Sequence, residues 1–305
     1  MFNCQNQFTN QNTNQINNQN ITPQQNINQN ITPQQINNQD KLPKINESFI
    51  KNLKLRSYNS AINDLCQYTK ILKNTDISEL PTSGKVLLLI CNPYFNTSYK
   101  LGNPVCNDCK IISEKYLSHD YLSYCLFDGT VEDFRKYLKF FLSHNYDDLI
   151  IYYSGHGVQV VQESFKFDYS LSKYVLLTES EIESDGMDEC LLFNPNSKSN
   201  TSQLIYDDEI TSLLKTNKCK NILMICDCCH AETILDSLTN NICLISSCKD
   251  SESSIQLVDN GIFTYYLVKY FDLPLDKLID NVKMKISRYG QNPSLKMNNR
   301  NYLFI

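Results

Sequence analysis

The sequence predicts an α/β fold, an αβα sandwich around a mostly parallel sheet of about six strands. Two observations carry this. Short β-branched apolar runs recur from Lys85 onward, and segments of helical period separate them. A strand–helix–strand alternation returns each strand parallel to the last.

The elements follow in order. Lys85–Cys91, KVLLLIC, is the first strand, entered after the punctuation of Pro81, Ser83 and Gly84. Asp108–Leu117 reads as a helix and Tyr121–Phe127 as the second strand. Val131–Phe141 is amphipathic, with Phe134, Leu138 and Phe141 on one face and Thr130 as N-cap. Asp148–Ser154 is the third strand, and Lys173–Leu177 a short one in a local hairpin. A helix over Asp207–Thr216 leads to the fourth main strand, Asn221–Asp227. A helix over Ala231–Leu238, a strand over Ile242–Ser247, helices over Gly261–Phe271 and Leu278–Tyr289, and an edge strand over Tyr302–Ile305 complete the pattern.

Composition divides the chain. Residues 1–45 are almost entirely Asn, Gln, Thr, Ile and Pro, and QNITPQQ occurs at Gln19–Gln25 and again at Gln29–Gln35. Two copies without an apolar face build no core, so the segment is expected to be disordered. It is either a self-association tail, since Asn/Gln-rich segments form intermolecular β-ladders, or a solvated tail without a role. Residues 46–80 form a helical lead-in, with Phe49, Leu53, Leu55, Ile62, Leu65 and Tyr68 at partly helical spacing. Residues 81–305 are the α/β domain.

Charge and cysteine usage narrow the function. A net charge of −5 argues against a nucleic-acid surface, and no apolar run approaches the ~18 residues of a membrane span. The start MFNCQNQ carries no signal-peptide pattern, so a cytoplasmic, reducing location is expected. The 13 cysteines are then mostly free thiols, several of them (Cys91, Cys125, Cys226, Cys243) on buried strands. Cys106-x-x-Cys109 has the spacing of half a zinc site, but no second pair or His pair completes it.

Chemistry gathers at two strand ends. Leu149–Tyr153 runs into Ser154-Gly155-His156-Gly157, and Ile222–Ile225 runs into Asp227-Cys228-Cys229-His230. One end offers an imidazole and the other a thiol, a candidate Cys–His dyad. In such sheets sites lie beyond the carboxyl ends of the strands, where both motifs fall. Adjacent residues of a strand face opposite ways, so only one of Cys228 and Cys229 can face His156. Asp227, two residues before Cys229, shares a face with it and would pair with a cationic group. His119 and His144 lie in polar surroundings and are expected to be solvated.

YYSGHG followed by DCCHAE resembles the caspase-like cysteine peptidases, and within them the metacaspases, over roughly residues 80 to 305. The resemblance implies cysteine endopeptidase activity in proteolysis, with a part in programmed cell death or protein quality control. It makes Cys229, directly before His230, the nucleophile and His156 its partner; the backbone N–H groups of Gly157 and Cys229 would hold the oxyanion. It implies that Asp108, in Cys106-Asn107-Asp108, forms an acidic S1 pocket with Asp227, with Ser154 near its floor. Protein or peptide substrates with Arg or Lys before the scissile bond would follow. Asp185-Gly-Met-Asp188-Glu189, Asp207-Asp208-Glu209 and Asp236 match an activating Ca²⁺ site, making Asp188, Asp207, Asp208 and Asp236 candidate ligands. Read from the residues alone, Asp207 and Asp208 serve equally well to cap the following helix. No organic cofactor is implied, a monomer is, and the Gln/Asn-rich start resembles a metacaspase prodomain. The loop Asn194–Gln203, with Lys198, is a candidate autocleavage site.

Two departures stand out. Pro104-Val105 replaces the Gly-Cys usual in the family, and Ala231-Glu232 replaces Ser-Gly after the nucleophile. Glu232 brings a negative charge that disfavours a nearby thiolate. The alternative is therefore a catalytically weak pseudo-peptidase acting as an interaction or aggregate-binding scaffold through its tail.

Overall fold

The structure, a computed structural model, describes residues 58–298 apart from 96, 163–164, 169–172, 177–185, 195–202 and 236. All of them lie in the unit that runs from Ile45 to Ile305. The expectations for residues 1–45, for Phe49, Leu53 and Leu55, for Lys198 and for the Tyr302–Ile305 strand lie outside the described residues.

The elements are α1 (Tyr58–Leu65), β1 (Lys70–Ile71), β2 (Ser83–Cys91), α2 (Asn103–Leu117), β3 (Leu122–Phe127), α3 (Val131–Leu142) and β4 (Asn145–Ser154). Then come β5 (Gly157–Val161), β6 (Phe165–Asp168), β7 (Lys173–Leu176), β8 (Met187–Leu192), β9 (Leu204–Tyr206) and α4 (Asp207–Lys215). The chain continues with β10 (Asn221–Asp227), β11 (Ile242–Ser246), α5 (Ile262–Lys269), α6 (Leu275–Ile286) and β12 (Ser294–Met297).

Seven strands form the central sheet, in the order β1-β3-β2-β4-β10-β11-β12. Every neighbouring pair is parallel except β11 with β12. Five of its strands are the expected ones, and two were not expected: the two-residue β1, which adds to the edge beside β3, and β12, which pairs with β11. A smaller antiparallel sheet, β5-β8-β9, and the hairpin of β6 with β7 complete the strands.

Both faces of the sheet are covered, so its strands read as unbroken apolar runs. Leu88, Ile90, Ile151, Tyr153, Ile222 and Met224 face α3 and α4, whose Phe134, Leu138, Phe141, Ile210 and Leu214 are buried against them. Leu87, Leu89, Ile150, Tyr152, Leu223 and Ile225 face α1, α2, α5 and α6. Each fully buried apolar side chain of this kind contributes about 1.5 to 3 kcal/mol. α3 starts as its sequence implies: Thr130 and Asp133 form a reciprocal capping box. α2 begins earlier than expected, at Asn103, because Pro104 sits in its first turn, where a missing N–H costs nothing.

The helix expected over Ala231–Leu238 is not formed: Glu232–Leu235 is a run of bends. The backbone there bonds elsewhere. His230 takes a left-handed φ of 51°, its Nδ1–H donates to the Asp250 carbonyl, and Thr233 N donates to Asp250 Oδ1 at 3.1 Å. Among the described residues no helix is long and apolar enough to cross a membrane.

Candidate active site

β4 and β10 are direct neighbours, and their last residues, Ser154 and Asp227, are paired in register. The two motif loops therefore leave the sheet side by side. The contact is close at Gly157. A methyl group there would overlap the Cys229 carbonyl oxygen and come within 3.1 Å of the Cys228 sulfur. Only glycine lets the imidazole-bearing loop lie against the backbone of the thiol-bearing one.

The two thiols differ as strand alternation requires. Cys228 joins Cys226 in the core on the α3/α4 side, and burial, with Cys226 and Cys248 nearby, pushes its thiol well above the usual range. A thiol in that state is inert. Cys229 reaches the rim at 8% exposure, and Ser254 N–H points at its sulfur at 3.3 Å. An N–H donor on sulfur favours the thiolate.

His156 is half-buried and fixed from several sides. Its Nε2 lies 2.7 Å from the Tyr99 carbonyl oxygen, which can only accept, so Nε2 carries the proton and Nδ1 is the basic nitrogen of the neutral ring. The Tyr94 ring stacks on the imidazole with centroids 5.1 Å apart, and Tyr94 OH accepts from His156 N at 3.1 Å. Tyr153 OH donates to the His156 carbonyl at 2.8 Å. The loop carrying Tyr94 is anchored by Asp128, whose Oδ1 accepts from Tyr94 N at 3.0 Å; burial raises that carboxyl to about 6.

Asp227, on the sheet face opposite the Cys228 thiol, meets Asp108 of α2. Gly261 lies between them: a methyl there would sit 2.5 Å from Asp227 Oδ2 and 3.2 Å from Asp108 Oδ2. Asp227 accepts from Ser254 Oγ at 2.7 Å and Thr264 Oγ1 at 2.5 Å. Asp108 accepts from Gly261 N at 3.0 Å and Asn260 Nδ2 at 3.0 Å. All four donors are neutral, and among the described residues neither carboxylate has an ion-pair partner. Burial raises both carboxyls; Asp227 adds like-charge repulsion to Asp108, and the two hydroxyls partly offset the rise at Asp227. Ser154 is buried in the strand between Cys91 and Asp227, on the same face as both.

The expected metal ligands are only partly brought together. Asp188 on β8 accepts from Gln162 Nε2 at 2.8 Å, and Asp207 is buried at the start of α4. Burial chiefly, then Asp207, Asp188 and Glu189 in turn, raise the thiol of Cys190. Asp208 lies in the first turn of α4 behind the N-cap Tyr206, and Asp236 lies outside the described residues. Glu209 is committed elsewhere, holding Arg135 through two bonds of 2.6 and 2.7 Å. Among the described residues no group of three or more His, Cys, Asp and Glu is placed to hold a metal ion.

The other histidines are not at the site. His119 and His144 are half-buried rather than solvated; each ring Nδ1 lies against a helix-end carbonyl, Lys115 O or Phe140 O. His230 is turned toward the Asp250 loop. Tyr94, Tyr99, Ser254, Asn260 and Thr264 carry no motif that marks them for the site. They reach the site from distant segments, and only the tertiary fold brings them there.

Comparison with known proteins gives a family and a similar fold. A family model described as the caspase domain, Peptidase_C14, matches residues 84–304. Among solved structures, the crystal structure of protein GSU0716 from Geobacter sulfurreducens is similar in fold, with a TM-score of 0.51 and 18% identity. The match covers 70% of this chain and 92% of that one. No curated protein matches the chain.

Proposed function

We propose that this chain, which belongs to the caspase-domain family and is a cysteine-type peptidase, cleaves after Arg or Lys with Cys229 as nucleophile and His156 as its acid–base partner. The observation that carries the specificity is the buried Asp108–Asp227 pair, held by neutral donors alone. Two adjacent carboxylates with no ion-pair partner among the described residues suit one cation. An Arg guanidinium answers both by two-point contact, and an Asp substrate would be repelled.

The Cys229 thiolate attacks the carbonyl carbon of the scissile bond. The oxyanion that forms is held by the backbone N–H groups of Gly157 and Cys229. His156, its proton on Nε2 shared with Tyr99 O, uses Nδ1 to take the thiol proton and deliver it to the leaving amine. Water then hydrolyses the thioester and regenerates the thiol.

We propose also that Ca²⁺ activates the enzyme, with Asp188, Asp207, Asp208 and Asp236 as ligands. Asp188, on β8 with Cys190, and Asp207, directly after the neighbouring β9, lie on or next to paired strands, which supports a shared site that Asp236 would complete. Bound Ca²⁺ would neutralise charge there. The further proposals are a monomer in a reducing, cytoplasmic setting, self-association through residues 1–45, and a role in programmed cell death or protein quality control. All twelve cysteines among the described residues being free thiols supports the reducing setting.

The test is hydrolysis of fluorogenic peptides ending in Arg, Lys or Asp, in millimolar Ca²⁺ and then in chelator. Cleavage after Arg and Lys, lost in Cys229→Ala, is expected, with chelator abolishing it. Cleavage after Asp would overturn the specificity, and equal rates in chelator would overturn the calcium proposal.

A further inference from the structure

Ser254 follows β11 in the loop that crosses the site, and it touches two of its parts at once. Its backbone N–H points at the Cys229 sulfur at 3.3 Å, and its hydroxyl donates to Asp227 Oδ1 at 2.7 Å. Its own place is set from a distant part of the chain. Gln291, wholly buried just before β12, donates from Nε2 to the Ser247 carbonyl at 3.0 Å and reaches Ser254 Oγ at 3.3 Å. Its Oε1 accepts from Ile255 N at 3.0 Å. A carbonyl partner on one side and an N–H partner on the other fix which end of the amide is which.

We propose that Ser254 is a positioning residue that ties the nucleophile to the specificity carboxylates, with Gln291 as the strut that holds it there. The proposal rests on the peptidase reading above. Both bonds of Ser254 favour a charged form. An N–H aimed at sulfur favours thiolate over thiol, and a hydroxyl on Asp227 favours carboxylate over acid. The charged forms are the ones that attack the substrate and bind a P1 cation. Because both bonds come from one residue, a displacement of the loop weakens nucleophile and specificity site together.

Three variants test this. Ser254→Ala removes one hydroxyl and keeps the backbone N–H. KM for an Arg peptide should rise about tenfold, the loss of one hydrogen bond to a charged group, with kcat changed less than about threefold. The acid limb of kcat/KM should move to higher pH, because Asp227 takes up a proton more readily. Ser254→Thr should restore both. Gln291→Met keeps the volume and removes the strut. The pH midpoint for iodoacetamide labelling of Cys229, followed on its peptide by mass spectrometry, should move up by about one pH unit, a tenfold change in thiolate fraction at a given pH.

Ser254→Ala with wild-type KM and acid limb would overturn the link to Asp227, as would failure of Ser254→Thr to restore them. An unchanged labelling midpoint in folded Gln291→Met would overturn the strut. If Gln291→Met does not fold, the Ser254 pair decides. A wild-type protein that cleaves no peptide sinks the peptidase reading instead, and the labelling midpoints still decide whether the loop controls Cys229.

Discussion

Replacing Asp227 by Asn should make the protein more stable and a far poorer peptidase. Asp227 and Asp108 are buried side by side, and burial raises the Asp227 carboxyl above its ordinary value. A carboxyl with a raised folded-state pKa binds protons more tightly in the native state. Stability is then lost as pH rises from the unfolded value, near ~3.9 for Asp, through the folded one. Above the folded value the native protein carries the full penalty, about 1.36 kcal/mol for each pKa unit of rise. Asn has nearly the same shape, can accept from Ser254 Oγ, and carries no charge. Relief of even about 1 kcal/mol would raise Tm by about 2 to 4 °C in a domain of this size. The gain should be larger at pH 7 than at pH 4, because the wild-type carboxyl takes up its proton as pH falls. Catalysis should go the other way. Removing one partner of a buried charge pair costs about 2 to 5 kcal/mol, so kcat/KM for an Arg peptide should fall by about a hundredfold or more. Thermal melting at the two pH values and steady-state kinetics read both effects. A Tm that falls at pH 7 would show that the buried charge carries no penalty, and an unchanged kcat/KM that Asp227 does not bind the substrate.

Three further outcomes follow from the site. Cys228→Ala should keep activity within a few-fold while lowering stability by about 1 to 2 kcal/mol by denaturant unfolding, since its thiol packs in the core and not at the rim. Gly157→Ala should abolish activity and cost about 1 to 3 kcal/mol, because its methyl overlaps the Cys229 carbonyl; a soluble variant with wild-type kcat would contradict the packing. Tyr94→Phe takes away the acceptor of His156 N and a donor to Leu192 O, so kcat should fall about tenfold with KM little changed, at about 1 to 3 kcal/mol of stability.

Much of the fold was legible because parallel strands buried on both faces leave an unmistakable apolar record, as in LLLIC, LIIYY and ILMIC. Tyr302–Ile305 lies outside the described residues, and the described edge is Ser294–Met297, a run too mixed in character to announce itself. The helix after Cys229 was misread because periodicity takes no account of a side chain elsewhere, and Asp250 supplies the bonds that a helix would have made. At the site, the two motifs and Asp227 were visible because they occupy strand ends. The parts that orient them were not. A backbone carbonyl such as Tyr99 O has no sequence signature, and Gln291 looks like any other Gln until the fold sets it beneath Ser254.

Everything proposed for this site depends on Cys229, activated by His156 and served by an acidic pocket, being the nucleophile. The most direct test is treatment of the folded protein with a peptidyl-Arg chloromethyl ketone, followed by peptide mass spectrometry. One adduct is expected, on Cys229, that forms much more slowly in His156→Ala and is not formed by the peptidyl-Asp reagent. An adduct on Cys228, or labelling of Cys229 at the same rate with Arg and Asp reagents, would contradict it.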